Sequence, residues 1–299
     1  MRRVAGAMST VALVLAASSI GYAQKQLALL ATVTDPAGGD TLILDPATVH
    51  VSENGQPATI VKVEPVQRMP KLQVLIDNGI GIPSESIGDL RKAVTAFLTA
   101  LPPTLEVTLV TTAPQPRVLE KATTDQQKLL QAVGRLSPDS GTGHFVDSLA
   151  EAVDRIAKDK SDAAYTIFAL GTTTGDNDVR DGDLKKIMEQ VQAHHITVHA
   201  VVLAKVSSGK TNGIQLDVAE ATTGASGGRY EAINVPNRMV TLLPDIGAQI
   251  AKTSGPGAKQ FRITFDRPGG ASGDLGKVSL GVDAKVVTSV TLDRPAAKR

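Results

Sequence analysis

From Lys71 to about Lys252 the chain alternates short apolar runs with stretches of helical period, and this rhythm constrains the fold more than any single motif. Residues 72–76 form an apolar run of the kind expected for a strand buried on both faces. Ile87, Leu90, Val94, Phe97, Leu98 and Leu101 then share one helical face, with Ser84 placed to cap that helix and Pro102-Pro103 to stop it. Strands are expected at 106–111 and, shorter, at 117–121. Thr124-Asp125-Gln126-Gln127 reads as a capping box opening a second helix. A helix over about 144–158, strands at 165–170, 196–203 and 229–233, and helices around 184–191, 215–222 and 237–250 complete the series. The alternation predicts an α/β fold: a doubly wound, mostly parallel open sheet with helices on both faces.

The flanks have a different rhythm. Short β-type runs occur at 27–33, 41–44, 48–52 and 59–63, separated by turn residues. Asn54-Gly55 between two such runs is a strong hairpin signal, because both residues accept positive φ. After the linker Ser254-Gly255-Pro256-Gly257, β-type runs return at 261–265, 277–282 and 286–292, and the basic end at 294–299 reads as a solvated tail. The expected organisation is a leader at 1–23, a β segment at 24–69, the α/β domain at 70–253 and a second β segment at 254–299. The two β segments are expected to form one β-sandwich into which the α/β domain is inserted; two separate small β modules are the alternative, though neither alone would bury much core.

Met1-Arg2-Arg3 precedes an uncharged apolar or small stretch at 4–23, and Gly21-Tyr22-Ala23 offers small residues where a signal peptidase reads. Cleavage before Gln24 is expected, giving a secreted or periplasmic protein with no stable membrane insertion; an uncleaved anchor is the alternative, since about 20 apolar residues span a bilayer. With 31 Lys+Arg against 30 Asp+Glu, the charge balance of the 299 residues argues against nucleic acid or anionic lipid as the main partner. The absence of cysteine excludes a disulfide scaffold, a thiolate metal site and a cysteine nucleophile.

In open α/β sheets, ligands sit beyond the carboxyl ends of the strands. Three loops fall there: Asp77-Asn78-Gly79-Ile80-Gly81-Ile82-Pro83, Ser140-Gly141-Thr142-Gly143-His144, and Thr172-Thr173-Thr174-Gly175-Asp176-Asn177-Asp178. With its order of elements, the chain resembles the von Willebrand factor type A domain, a Rossmann-like fold, of the kind found in bacterial secreted proteins. In that family an Asp-x-Ser-x-Ser loop, a threonine and a second aspartate hold Mg²⁺ or Mn²⁺, and a partner's carboxylate completes the shell. Here Asp77 matches the first aspartate and Thr142 the threonine. The two serine positions fall on Gly79 and Gly81, and the second aspartate on Thr172 or Thr173. The resemblance therefore implies a degenerate, metal-free site; if an ion is held at all, Asp77 and Thr142 would hold it, with Asp176 or Asp178 compensating.

Other chemistries are weaker on the same residues. Gly79-Ile80-Gly81 lacks the third glycine of a dinucleotide loop, Ser84 standing there, and no acidic residue ends the second strand at Thr111-Thr112. His194, His195 and His199 form a metal cluster only by count. Ser140, His144 and Asp147 are triad residue types without a nucleophile elbow. The expected function is non-enzymatic protein recognition or adhesion, with Asp77, Asn78, Gly79, Gly81, Thr142, Thr172, Thr173 and Asp176 as the partner-binding rim. Residual Mg²⁺- or Mn²⁺-dependent adhesion and a structural envelope scaffold are the alternatives.

Overall fold

The apolar run at 72–76 becomes the centre of a six-stranded sheet. In the computed structural model, which describes residues 10–13, 26–35, 42–175, 181–204, 213–255, 257–271 and 275–293, the chain divides into two units, Met69–Ser254 and Met1–Arg68 with Gly255–Arg299. The chain begins with β1 (Thr10–Leu13), β2 (Gln26–Thr34), β3 (Val49–Glu53), β4 (Gln56–Pro57) and β5 (Thr59–Val66). It continues with β6 (Met69–Ile76), α1 (Ile87–Thr99), β7 (Glu106–Thr111), β8 (Arg117–Thr123), α2 (Gln126–Gly134), α3 (Phe145–Lys158) and β9 (Ala163–Thr172). Then come α4 (Asp181–Ala193), β10 (Thr197–Leu203), α5 (Ile214–Ser226), β11 (Tyr230–Ile233) and α6 (Arg238–Ser254). The last strands are β12 (Ala258–Asp266), β13 (Val278–Val282) and β14 (Val286–Leu292).

The sheet of the α/β unit runs β11-β10-β9-β6-β7-β8, parallel except for the edge strand β8. Helices α1, α2 and α6 cover one face, packed on Leu72, Val74 and Ile76 of β6; α3, α4 and α5 cover the other. The chain leaves β6 for β7 on one side and later returns to β9 on the other. The ends of β6 and β9 thus form a topological switch point, where the connections leave the sheet in opposite directions. Local packing is tight: Gly171 in β9 carries no side chain because a Cβ would lie 2.3 Å from the Phe145 ring.

Strands from both flanks form two antiparallel sheets, β1-β13-β3-β4 and β14-β2-β12-β5, around one core that includes Leu29, Val51, Phe261, Ile263, Phe265 and Leu280. The Asn54-Gly55 hairpin forms as expected, with φ of 50° and 79°, and joins β3 to β4. Glu53, at the end of β3, is buried against Arg267, which donates from Nε to Oε2 at 2.9 Å and from Nη2 to Oε1 at 2.5 Å; the Arg267 hydrogen bond holds the Glu53 pKa below its usual value.

Three local expectations are corrected. Residues 42–44 are not a strand, although Leu42 and Leu44 are buried in the core. Ser84 starts a short 3₁₀ turn (Ser84–Ser86) rather than capping α1 directly. The cap of α2 is Asp125, not Thr124: its carboxylate accepts from the N–H groups of Gln127 and Lys128, and Thr123 Oγ1 accepts from the Asp125 N–H. The expected leader lies mostly outside the described residues, as do Asp176, Asn177, Asp178 and the basic tail at 294–299.

His199 on β10 is 3% exposed, and its Nδ1 accepts from the Arg229 N–H at 3.1 Å. Burial, with the Arg229 charge adding to it, pulls its pKa from 6.5 down to about 4. The native state therefore resists a proton that the unfolded chain takes up below pH 6.5. Stability is expected to be full above that pH, to fall by about 3 kcal/mol as pH drops from 6.5 to 4, and to lose nothing more from this group below. Denaturant unfolding of the wild type and His199→Asn across this range checks it: the variant's profile should lack this component.

Candidate functional site

Asp77 follows β6 at the switch point, with its N–H donating to Leu170 O of β9 at 2.9 Å. Its side chain is fully buried. Oδ1 accepts from the Gly79 N–H at 2.8 Å, and Oδ2 accepts from Thr172 Oγ1 at 2.6 Å. Thr172 Oγ1 also lies 2.7 Å from Thr174 Oγ1. Since the Thr172 proton goes to Asp77, Thr174 is the donor in that second contact. Burial raises the Asp77 pKa despite the hydrogen bonds from Thr172 and Gly79 and the nearby His144, all of which lower it.

Glycines let the three loops close over this carboxylate. A Cβ on Gly143 would sit 2.2 Å from Asp77 Oδ2; on Gly81, 2.2 Å from Thr172 Oγ1; on Gly79, 2.5 Å from Gly141 O; and on Gly175, 2.0 Å from Gly143 O. The Ile80 N–H donates to Gly141 O at 2.9 Å, the Asp139 N–H to Asn78 O at 2.7 Å, and the His144 N–H to Thr112 O at 3.2 Å. Asn78 Nδ2 donates to Ser137 O, whereas its Oδ1 is buried without a partner, as are Thr112 Oγ1 and Ser148 Oγ.

The structure brings Asp77, Gly79, Gly81 and Thr172 together, with Thr142 half-buried beside Gly175 and Thr173 half-buried next to Thr172. It corrects their role as a contact surface: Asp77, Asn78, Gly79 and Thr172 lie beneath the surface and support the rim. Ile80, 59% exposed, and the exposed Pro114, Pro138 and Ser140 form what solvent meets. The sequence reading missed Gln215, whose Nε2 reaches back from α5 to Gly175 O at 2.7 Å. No local pattern marks a glutamine there, because its partner lies 40 residues away. His199 is buried on β10 and His195 has φ 52° after α4; among the described residues no cluster of three His, Cys, Asp or Glu could hold a metal.

By sequence the chain matches no family model and no curated protein. By structure it is similar to the von Willebrand factor type A protein from Catenulispora acidiphila, with a TM-score of 0.52 at 12% identity over 90% of this chain and 73% of that one. The α/β unit has the von Willebrand factor type A fold. Weaker likenesses are to the conserved hypothetical protein BatB from Bacteroides thetaiotaomicron (TM-score 0.45, 12% identity, 61% of this chain and 99% of that one) and to proximal thread matrix protein 1 from the mussel byssus with a zinc-occupied metal site (0.49, 10%, 69% and 50%). No helix among the described residues is long and apolar enough to cross a membrane.

The described residues do not fit the divalent ion that the type A fold can carry. A hard ion of this kind wants about six oxygens in near-octahedral array. Among the described residues, Asp77 has both carboxylate oxygens engaged, and Gly79 and Gly81 stand where hydroxyls would be needed. The space that a serine at Gly81 would occupy is filled by Thr172 Oγ1.

Thr172→Val removes the hydroxyl donor to a buried carboxylate and is expected to cost about 1–3 kcal/mol. Because the folded pKa of Asp77 is already raised above 3.8, stability from this group is present at lower pH and lost as pH rises through the folded value. Losing the donor raises that value further, so the Thr172→Val penalty should be larger near neutral pH than in acid. Paired denaturation curves under the two conditions check this, and Gly143→Ala should be destabilising in both.

Proposed function

We propose that this chain is an extracytoplasmic module that recognises a protein partner, without a metal ion, at the rim beyond the carboxyl ends of β6, β7 and β9. The observation that carries the reading is the Thr172 hydroxyl bonded to Asp77 at 2.6 Å: an uncharged donor of this chain serves the carboxylate that a cation would otherwise serve. The leader-type sequence at 1–23 supports an extracytoplasmic setting. Asp77, Asn78 and Thr172 hold the loops in place. Ile80, Ser140 and the half-buried Thr142 and Thr173 meet the partner, so contact relies on apolar surface and hydrogen bonds.

The test places a photo-crosslinking residue at Ser140 in the exported protein in its native cells. The expected outcome is a protein adduct that persists in EDTA and is lost with Ile80→Asp, while titration of Mg²⁺ or Mn²⁺ into the purified chain gives no heat. An adduct that requires the divalent ion, together with micromolar ion binding abolished by Asp77→Ala, overturns the metal-free reading. An adduct unchanged by Ile80→Asp overturns the placement of the contact.

A further inference from the structure

The outer edges of the three sheets are guarded in different ways, and one strand behind such an edge is not. At β4 the edge is two residues long and ends in Pro57. Along β5 lie Lys62, Glu64 and Pro65, with a register shift against β12. Along β8 lie Arg117, Glu120 and Lys121, with two register shifts against β7. A register shift interrupts β14, and β11 has four residues. Charge, proline, irregularity and brevity are the devices that keep sheet edges from pairing with other chains.

Strand β13, Val278-Ser279-Leu280-Gly281-Val282, has no charge, no proline and an unbroken register with β3. Its other side is covered by β1, antiparallel, from Thr10 opposite Gly281 to Leu13 opposite Val278. That cover lies inside the stretch expected to be removed as a leader. Without it, β13 is an edge.

The direction of its open groups follows from the bonds on the β3 side. The Asn54 N–H donates to Lys277 O at 2.8 Å and the Asp283 N–H to Thr48 O at 3.0 Å, so 277 and 283 face β3. Successive residues of a strand point their backbone groups to alternate edges. The N–H and C=O groups of Val278, Leu280 and Val282 therefore face the side that β1 covers.

We propose that, after removal of residues 1–23, the β13 edge pairs antiparallel with the same edge of a second copy. A two-fold centred on Leu280 sets Leu280 against Leu280, Val278 against Val282 and the small Ser279 against Gly281 of the second copy. Every open N–H and C=O of Val278, Leu280 and Val282 then finds a partner. The antiparallel seating of β1 shows that a strand of this direction fits there, and the absence of charge leaves nothing to repel an identical strand. An isologous contact of this kind closes as a dimer.

Analytical ultracentrifugation and amide hydrogen exchange of chain 24–299 and chain 1–299, from low to high micromolar concentration, test it. Chain 24–299 is expected to dimerise, with exchange at Val278, Leu280 and Val282 slowing as concentration rises, while chain 1–299 stays monomeric. Ser279→Lys should weaken the dimer about tenfold or more. A monomeric chain 24–299 with fast exchange at these three amides overturns the proposal, as does a dimer in which they stay unprotected. Protection that appears only when a different protein is added assigns the edge to a foreign strand and overturns pairing between copies. So does a mature protein that retains its first 23 residues. If Ser279→Lys fails to fold, the exchange measurement on the unaltered chain still decides.

Discussion

The hydrogen bond from Thr172 to Asp77 is the contact on which the top of the α/β unit depends. Moving a carboxylate out of water is costly unless donors replace the water, and this one is fully buried. Thr172 stands at the end of β9 and Asp77 follows β6, the neighbouring strand at the switch point. The bond therefore joins the two loops that diverge there, and the Gly79 N–H supplies a donor from within the first loop. The polar requirement of one side chain thus fixes the relative position of two loops.

The glycines around it follow from the same constraint. Without side chains, they let the backbones of the loops come close together. In the folded chain that closeness is used internally, because Gly143 lies on the carboxylate, Gly79 on Gly141 and Gly175 on Gly143. The loops are consequently packed against one another, and side chains at their tips, Ile80 above all, are what they present outward. Under the proposed function, a loop held by these contacts would give up little conformational entropy when a partner binds, which favours recognition by shape and apolar contact.

What the sequence made legible was what local pattern determines. Strands buried on both faces, helices with a continuous apolar face and the Asn54-Gly55 turn each depend on neighbouring residues, and each forms as expected. Asp77 and Thr142 were placed by resemblance, but nothing local marks the Thr172 hydroxyl as the donor to Asp77, because two residues 95 positions apart leave no local trace of their hydrogen bond. Gln215 was missed for the same reason. The cap of α2 was misplaced by one residue because Thr124 and Asp125 are both good capping residues, and only the backbone conformation selects between them. The segment at 42–44 carries apolar residues at strand spacing, yet it is fixed by burying Leu42 and Leu44 rather than by pairing.

With no cysteine in the chain, the β unit must hold strands from its two ends together by packing and pairing alone. The pairing of β2 with β12 runs from Gln26 opposite Asp266 to Thr34 opposite Ala258 without a shift. Its register is set by burial: Leu29, Ala31 and Val33 face the core from β2, and Phe261, Ile263 and Phe265 from β12, so a slip of one residue would turn each set toward the opposite face. The Glu53–Arg267 pair adds a second selection, since Arg267 follows β12 and Glu53 ends β3. A buried ion pair contributes little net stability when formed but leaves a costly uncompensated charge when one partner is displaced. Gly276 N–H on Glu53 and Lys277 N–H on Asn54 then tie the approach to β13 to the same turn. Packing supplies the stability of the unit, and these polar contacts penalise the alternatives to its register.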